Sequence, residues 1–234
     1  MSPTSLPKPT LLAFGLIALM PMSACLGSSN TPASFPLEVG DLLFQDLDCG
    51  PLCEAIEAVT EGVAGAALSH VAMVSRVEGG EVWVIEAYAD GVVEIPAGQL
   101  LARSGDAEGK PKVLVGRLRP DLRGLVPEVL RAARSRLGSP YDEAFLMDNG
   151  AYYCSELLYD AFREANGGRP VFELRPMTFI EAGAERTHPV WEQYFAKRGE
   201  PVPEGEPGLN PGGMSTSTAI TIVHAFGTPT GWRP

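Results

Sequence analysis

Cysteine and histidine are scarce in this chain, with four and three copies in 234 residues, so any site built on a thiol and an imidazole has few ways to be assembled. Cations are also few. Eighteen Lys and Arg against 29 Asp and Glu leave a net charge of −11, and no basic stripe is present to neutralise phosphates, which speaks against nucleic acid as a partner. Internal repeats are absent. The leading apolar run, residues 11–20, is too short to cross a bilayer, which needs about 20 residues. What remains is an ordinary globular composition, 45% apolar and 20% charged, with ample material for one sizeable core.

Residues 1–24 read as an export signal: a short start with Lys8, the apolar run, then Pro21-Met22-Ser23-Ala24 ahead of Cys25. Small residues immediately before a cysteine resemble the lipobox of bacterial lipoproteins, with Met22 where leucine is usual. The resemblance implies that Cys25 is acylated and becomes the first residue of a membrane-anchored protein. In an envelope with two membranes, Leu26 in place of aspartate points to the outer one. Residues 25–36 are small, polar and proline-containing, as suits a flexible tether. The folded domain is expected over 37–234.

Along that domain, residues 39–45 read as a turn into a short strand and 51–61 as a helix with Pro51 in its first turn. Cys49 and Cys53 lie between them, and their spacing leaves a local disulfide and two free thiols both open; a metal site needs more ligands than are near. Residues 68–77 and 81–88 form a hairpin. A three-residue loop puts Val77 opposite Glu81 and Ala72 opposite Glu86, with His70 and Glu86 diagonal on one face, about 7–8 Å apart. A two-residue loop puts them on opposite faces. Further elements are a strand at 92–95, a short helix at 96–103, a strand at 112–118 and a helix at 122–137. The Arg131, Arg134 and Arg136 cluster suits the negative end of that last helix and needs no ligand. A helix at 189–198, an irregular Pro- and Gly-rich stretch at 199–213 and a final strand at 219–224 complete the domain.

Residues 151–166 carry a helical stripe of Cys154, Leu157, Leu158, Ala161, Phe162 and Ala165, closed by Gly167-Gly168. Cys154 sits on the first turn, where unpaired N–H groups and the helix dipole favour the thiolate. A small buried hydrophobe is the competing reading for a cysteine on an apolar stripe. A cysteine hydrolase needs a thiolate, an imidazole to hold and return the proton, and a polar group to orient the imidazole. His188 precedes a proline and His224 lies near the C-terminus; His70 opens a strand that faces Glu86.

The motifs Gly-Asp-Leu-Leu-Phe at 40–44, Leu-Ser-His-Val-Ala-Met-Val at 68–74, Val-Ile-Glu-Ala at 84–87 and Tyr-Tyr-Cys-Ser-Glu-Leu-Leu at 152–158 resemble the YiiX/YaeF group. That group lies in the circularly permuted branch of the NlpC-type papain-like fold, in which the histidine precedes the cysteine as it does here. The resemblance implies an α+β fold, a small antiparallel barrel-like sheet packed against helices. It implies Cys154 as nucleophile, His70 as general base and acid and Glu86 as the orienting third member. Gln45 is the candidate oxyanion donor beside the Cys154 N–H, and Tyr141 and Tyr152 are candidates for the substrate pocket; Ser155 reads as part of the helix start. No cofactor or metal is expected. The expected activity is an exported cysteine amidase acting on cell-wall peptides. The alternatives are a lipid-directed acyltransferase or acylhydrolase, like the lecithin:retinol acyltransferase branch, and a silent peptide- or lipid-binding lipoprotein.

Overall fold

The computed structural model describes residues 35–234, so the expected export signal, Cys25 and all but the end of the tether lie outside the described residues. The strands are β1 (Leu42–Gln45), β2 (His70–Glu78), β3 (Glu81–Tyr88), β4 (Gly91–Pro96), β5 (Val113–Leu118), β6 (Arg175–Pro176), β7 (Pro207–Gly208) and β8 (Ile220–Ala225). The helices are α1 (Pro51–Ala58), α2 (Ala97–Leu101), α3 (Val126–Arg134), α4 (Cys154–Ala165), α5 (Pro189–Arg198) and α6 (Pro211–Ser215). Six strands form one antiparallel sheet in the order β4, β3, β2, β1, β5, β8, and β6 pairs with β7 separately.

Strand alternation divides the sheet into two buried faces. Phe44, Val71, Met73, Ile85 and Leu114 pack on one side with α3 and α4, while Leu43, Ala72, Val74, Val84 and Val115 pack on the other with Leu100 and Leu101 of α2. Gly116 permits the first packing, since a Cβ there would lie 2.7 Å from the Phe44 ring. A third apolar cluster joins α1, Phe145, Phe179 and α5 through Trp191 and Phe195.

The β2–β3 hairpin corrects the expected loop and keeps its consequence. Its turn is the two-residue Gly79-Gly80, with φ of +58° and +86°, and Val77 pairs with Val82, not Glu81. Both positive φ values suit the tight turn whose twist matches its strands, which glycine adopts without steric cost. Unmodified, that turn would separate His70 from Glu86 by a face. A bulge at Ser75, between the Val74↔Val84 and Arg76↔Trp83 pairs, shifts the register by one, so Met73 lies opposite Ile85 and Ala72 comes opposite Glu86. Arg134 donates to the Ser75 carbonyl at 3.2 Å and so steadies the bulge from α3.

Other boundaries moved for local reasons. The helix expected over 122–137 begins as a 3₁₀ turn, Arg123–Leu125, before α3. Arg131, Arg134 and Arg136 are occupied by Glu128, Glu94 and Glu164. The stretch 199–213 is more regular than its composition suggests: β7 pairs with β6, and the Asn210 side chain accepts from the Gly213 N–H to start α6.

Cys49 and Cys53 form a disulfide that ties the approach to α1 onto its first turn. Replacing both with serine should lower unfolding stability by about 2 kcal/mol, the loop entropy of so short a ring, with turnover retained. Loss of turnover in a protein that still melts cooperatively would assign the pair a role in the site.

Candidate active site

His70 is the first residue of β2 and is 3% exposed; Glu86 lies in the middle of β3 and is fully buried. The bulge puts them together, and His70 Nε2 lies 2.6 Å from Glu86 Oε2. This bond leaves Nδ1 as the ring nitrogen available to the Cys154 sulfur, which stands beside the imidazole at the first turn of α4. Cys154 is 5% exposed and is the one free cysteine among the described residues.

The electrostatics follow from this arrangement. Burial pulls the His70 pKa down, but its hydrogen bonding with Cys154 and Glu86, and the charge on both, outweigh that and raise it to about 9. Burial pushes Glu86 up, and the bond to His70, reinforced by Arg103, carries it down to about 2. At neutral pH the ring is therefore imidazolium and its partner carboxylate. Arg103 has no distinguishing signal in the sequence, where it is the last residue of the short helix expected over 96–103. Its guanidinium forks onto Glu86, Nη1 to Oε2 at 2.9 Å and Nη2 to Oε1 at 2.6 Å.

Gln45 pairs across the ladder with His70 but is not directed to the sulfur. Its Nε2 donates to the Leu100 carbonyl at 2.8 Å and to Ser104 Oγ at 3.1 Å, and it does not line the cleft beside Cys154. Gln45 shares the sheet face of its partner His70, with Leu43 and Ala72, and on that face its amide is taken up by the Leu100 carbonyl and Ser104, which ties β1 to the segment after α2. The α4 N-terminus offers the backbone N–H groups of its first turn, which have no partner within the helix.

That cleft has about 490 Å³ of empty volume, open mouth included. Ile56 and Val59 from the α1 end, Phe145, Phe179, Trp191 and Tyr141 make its walls largely apolar. Tyr141 is thus at the cleft, its hydroxyl pKa raised by burial and by Cys154. Tyr152 is not among the lining residues. It forms a backbone bridge with Tyr141 and lies under the Arg136 guanidinium at 5.4 Å, a packing role. Ser155 donates to the Leu209 carbonyl, which fixes the helix start to the loop before α6.

Two further groups were not legible in the sequence. Glu156 Oε2 accepts from the Tyr153 N–H at 3.3 Å, and burial raises its pKa to about 8, so this helix-start group is largely a neutral acid at pH 7. Ser69, next to His70, lines the cleft and donates to Glu57 Oε1 at 2.6 Å. The other histidines are engaged elsewhere: His188 Nδ1 accepts from the Val190 N–H at the start of α5, and His224 stacks on Phe35 at 4.3 Å.

A family model described as permuted papain-like amidase enzyme, YaeF/YiiX, C92 family, matches residues 36–224. Among solved structures, the chain is similar to one titled as metalloprotein yiiX from Escherichia coli O157:H7, with a TM-score of 0.66 and 23% identity over 83% of this chain and 100% of that one. At that identity the likeness is one of fold. Among the described residues, no group of three or more His, Cys, Asp or Glu is placed to hold a metal ion. Comparison with curated proteins found no match.

Proposed function

Because the chain belongs to the permuted papain-like amidases of the YaeF/YiiX family, and is by that membership a cysteine hydrolase, we propose that Cys154, His70 and Glu86 are its catalytic machinery. The observation that carries this reading is the 2.6 Å His70–Glu86 bond together with the action of Cys154 on the same ring. Cys154 Sγ, as thiolate, attacks the carbonyl carbon of the scissile amide, and the resulting oxyanion is held by N–H groups of the first turn of α4. His70 gives its Nδ1 proton to the leaving nitrogen, the C–N bond breaks and the amine departs, leaving a thioester on Cys154. The neutral ring then takes a proton from water as the water oxygen attacks the thioester; the acid leaves and the thiolate–imidazolium pair is restored.

Cell-wall peptides are the proposed substrates, and the cell envelope the proposed location, with residues 1–24 removed and Cys25 acylated. The Cys49–Cys53 disulfide supports an oxidising compartment. More than one acyl chain gives stable membrane residence. Cys25→Ser should therefore shift the protein from the membrane to the soluble fraction and alter its processing; unchanged fractionation would remove the anchor from the reading.

A second substrate reading has its own support. The apolar walls around Cys154, with Phe145, Phe179 and Trp191, suit an acyl chain or a large apolar side chain better than a polar peptide. The purified protein incubated separately with muropeptides, N-acyl amino acids and phospholipids, with products identified by mass spectrometry, decides between them. Release of an amine from muropeptides supports the first reading, and cleavage confined to the acylated substrates supports the second.

A further inference from the structure

The Glu86 carboxylate is fully buried and has two cationic partners, of which His70 changes charge during the reaction proposed above and Arg103 does not. When His70 is charged its ring holds a proton on each nitrogen, and a buried carboxylate with no other partner competes for the one on Nε2, because burial disfavours the anion. If Glu86 took that proton it would become a neutral acid, and the ring would be left neutral with its one hydrogen on Nδ1. The Cys154 thiolate would then lose the imidazolium charge beside it. We infer that Arg103 is a positioning residue of this site: its forked guanidinium keeps Glu86 an anion in both charge states of His70, so that the charged ring keeps both its protons and the neutral ring keeps its one proton on Nε2 and its lone pair on Nδ1.

The geometry is that of a built support. Both Glu86 oxygens accept from Arg103, and Oε2 is shared with His70. A fork of this kind fixes the carboxylate plane as well as its charge, which an ammonium cannot do. Arg103 is itself held. Its guanidinium carbon lies 4.0 Å over the Tyr88 ring, and Tyr88 in turn meets the His70 ring edge-on at 5.4 Å. The segment that carries Arg103 is tied to β1 by the Gln45 amide through Leu100 and Ser104, on either side of it. Gln45 therefore serves the site indirectly, by anchoring the segment that positions Glu86. The titratable and charged groups around His70 are Glu86 and Tyr88 from β3, Arg103 from the segment after α2 and Cys154 from α4, with Tyr141 against the sulfur.

The inference rests on the Cys154–His70–Glu86 reading but is tested without turnover, so the two fail separately. In full-length protein labelled with ¹⁵N-histidine, the His70 ring is assigned by its loss in His70→Asn and titrated. Wild type should show imidazolium at neutral pH and, above its transition, hydrogen on Nε2. Removing a fixed positive charge makes the His70–Glu86 pair hold its proton more tightly, so Arg103→Gln should raise the transition by about one unit. Below that transition it should show neutral ring with hydrogen on Nδ1, the proton having moved to Glu86. Arg103→Lys keeps the charge without the fork, so its transition should rise by less and its tautomer should stay on Nε2. An Arg103→Gln ring with wild-type transition and tautomer overturns the proposal. Should only Arg103→Lys fold, an unmoved transition in that variant overturns it, since an ammonium cannot reproduce the fork. A merely structural arginine would lower stability and leave both ring readings where they were.

Discussion

Cys154→Ala is expected to abolish turnover, with a fall of about six orders of magnitude in kcat, while substrate still binds. The change removes the only atom in the cleft able to form the thioester and leaves the apolar walls intact. His70→Ala should cost nearly as much, because the proton donor for the leaving amine and the acceptor from water are one ring. The double variant should be little worse than either single one, since groups that act in one step lose their value together. Kinetics on the three proteins, with intact-mass detection of the acyl-enzyme in wild type, provide the check. Additive losses, or turnover retained in Cys154→Ala, would sink the assignment of this cysteine.

Glu86→Gln has a large expected effect on two observables. Activity should fall by about four orders of magnitude, less than for Cys154 or His70, because imidazole orientation and charge are disturbed while both reacting groups remain. Stability should fall by about 3–5 kcal/mol, because a fully buried carboxylate is lost and Arg103 and His70 are left facing a neutral amide. The pH dependence has a defined sign. Glu86 is lowered from its ordinary value of 4.5 to about 2, so its contribution is present above 4.5 and is lost as pH falls toward 2. His70 is raised from 6.5 to about 9, so its contribution is full below 6.5 and is lost as pH rises toward 9. Wild-type stability from this pair is thus greatest between about 4.5 and 6.5, and urea midpoints across pH should show that maximum flattened in Glu86→Gln. Parallel pH curves for the two proteins would mean that the buried pair carries no such linkage.

Much of this architecture is written in local pattern. The stripe from Cys154 to Ala165 makes α4 legible together with its buried face, and β-branched runs around Gly79-Gly80 make the hairpin legible, because period and turn chemistry are short-range properties. The scarcity of cysteine and histidine narrows the candidate thiol and imidazole to very few residues. By itself, then, the sequence determined the strands of the main sheet and the longer helices, the permuted order of the motifs and the residue types available for chemistry.

Tertiary structure decided which of those residues meet. The juxtaposition of His70 and Glu86 depends on one extra residue at Ser75, and a bulge has no signature in a β-rich run, since it is set by how two strands and α3 pack. Arg103 and Gln45 exchanged their apparent importance because what covers a sheet face decides each side chain's partner: Gln45 shares the face of His70, but its amide is held by Leu100 and Ser104 and not directed to the sulfur. The apolar cleft is assembled from α1, the loop bearing Phe145 and the region from Phe179 to Trp191, segments far apart in the chain. No local pattern carries that information, because contacts between distant segments arise only when the core closes and the chain's apolar faces find one another.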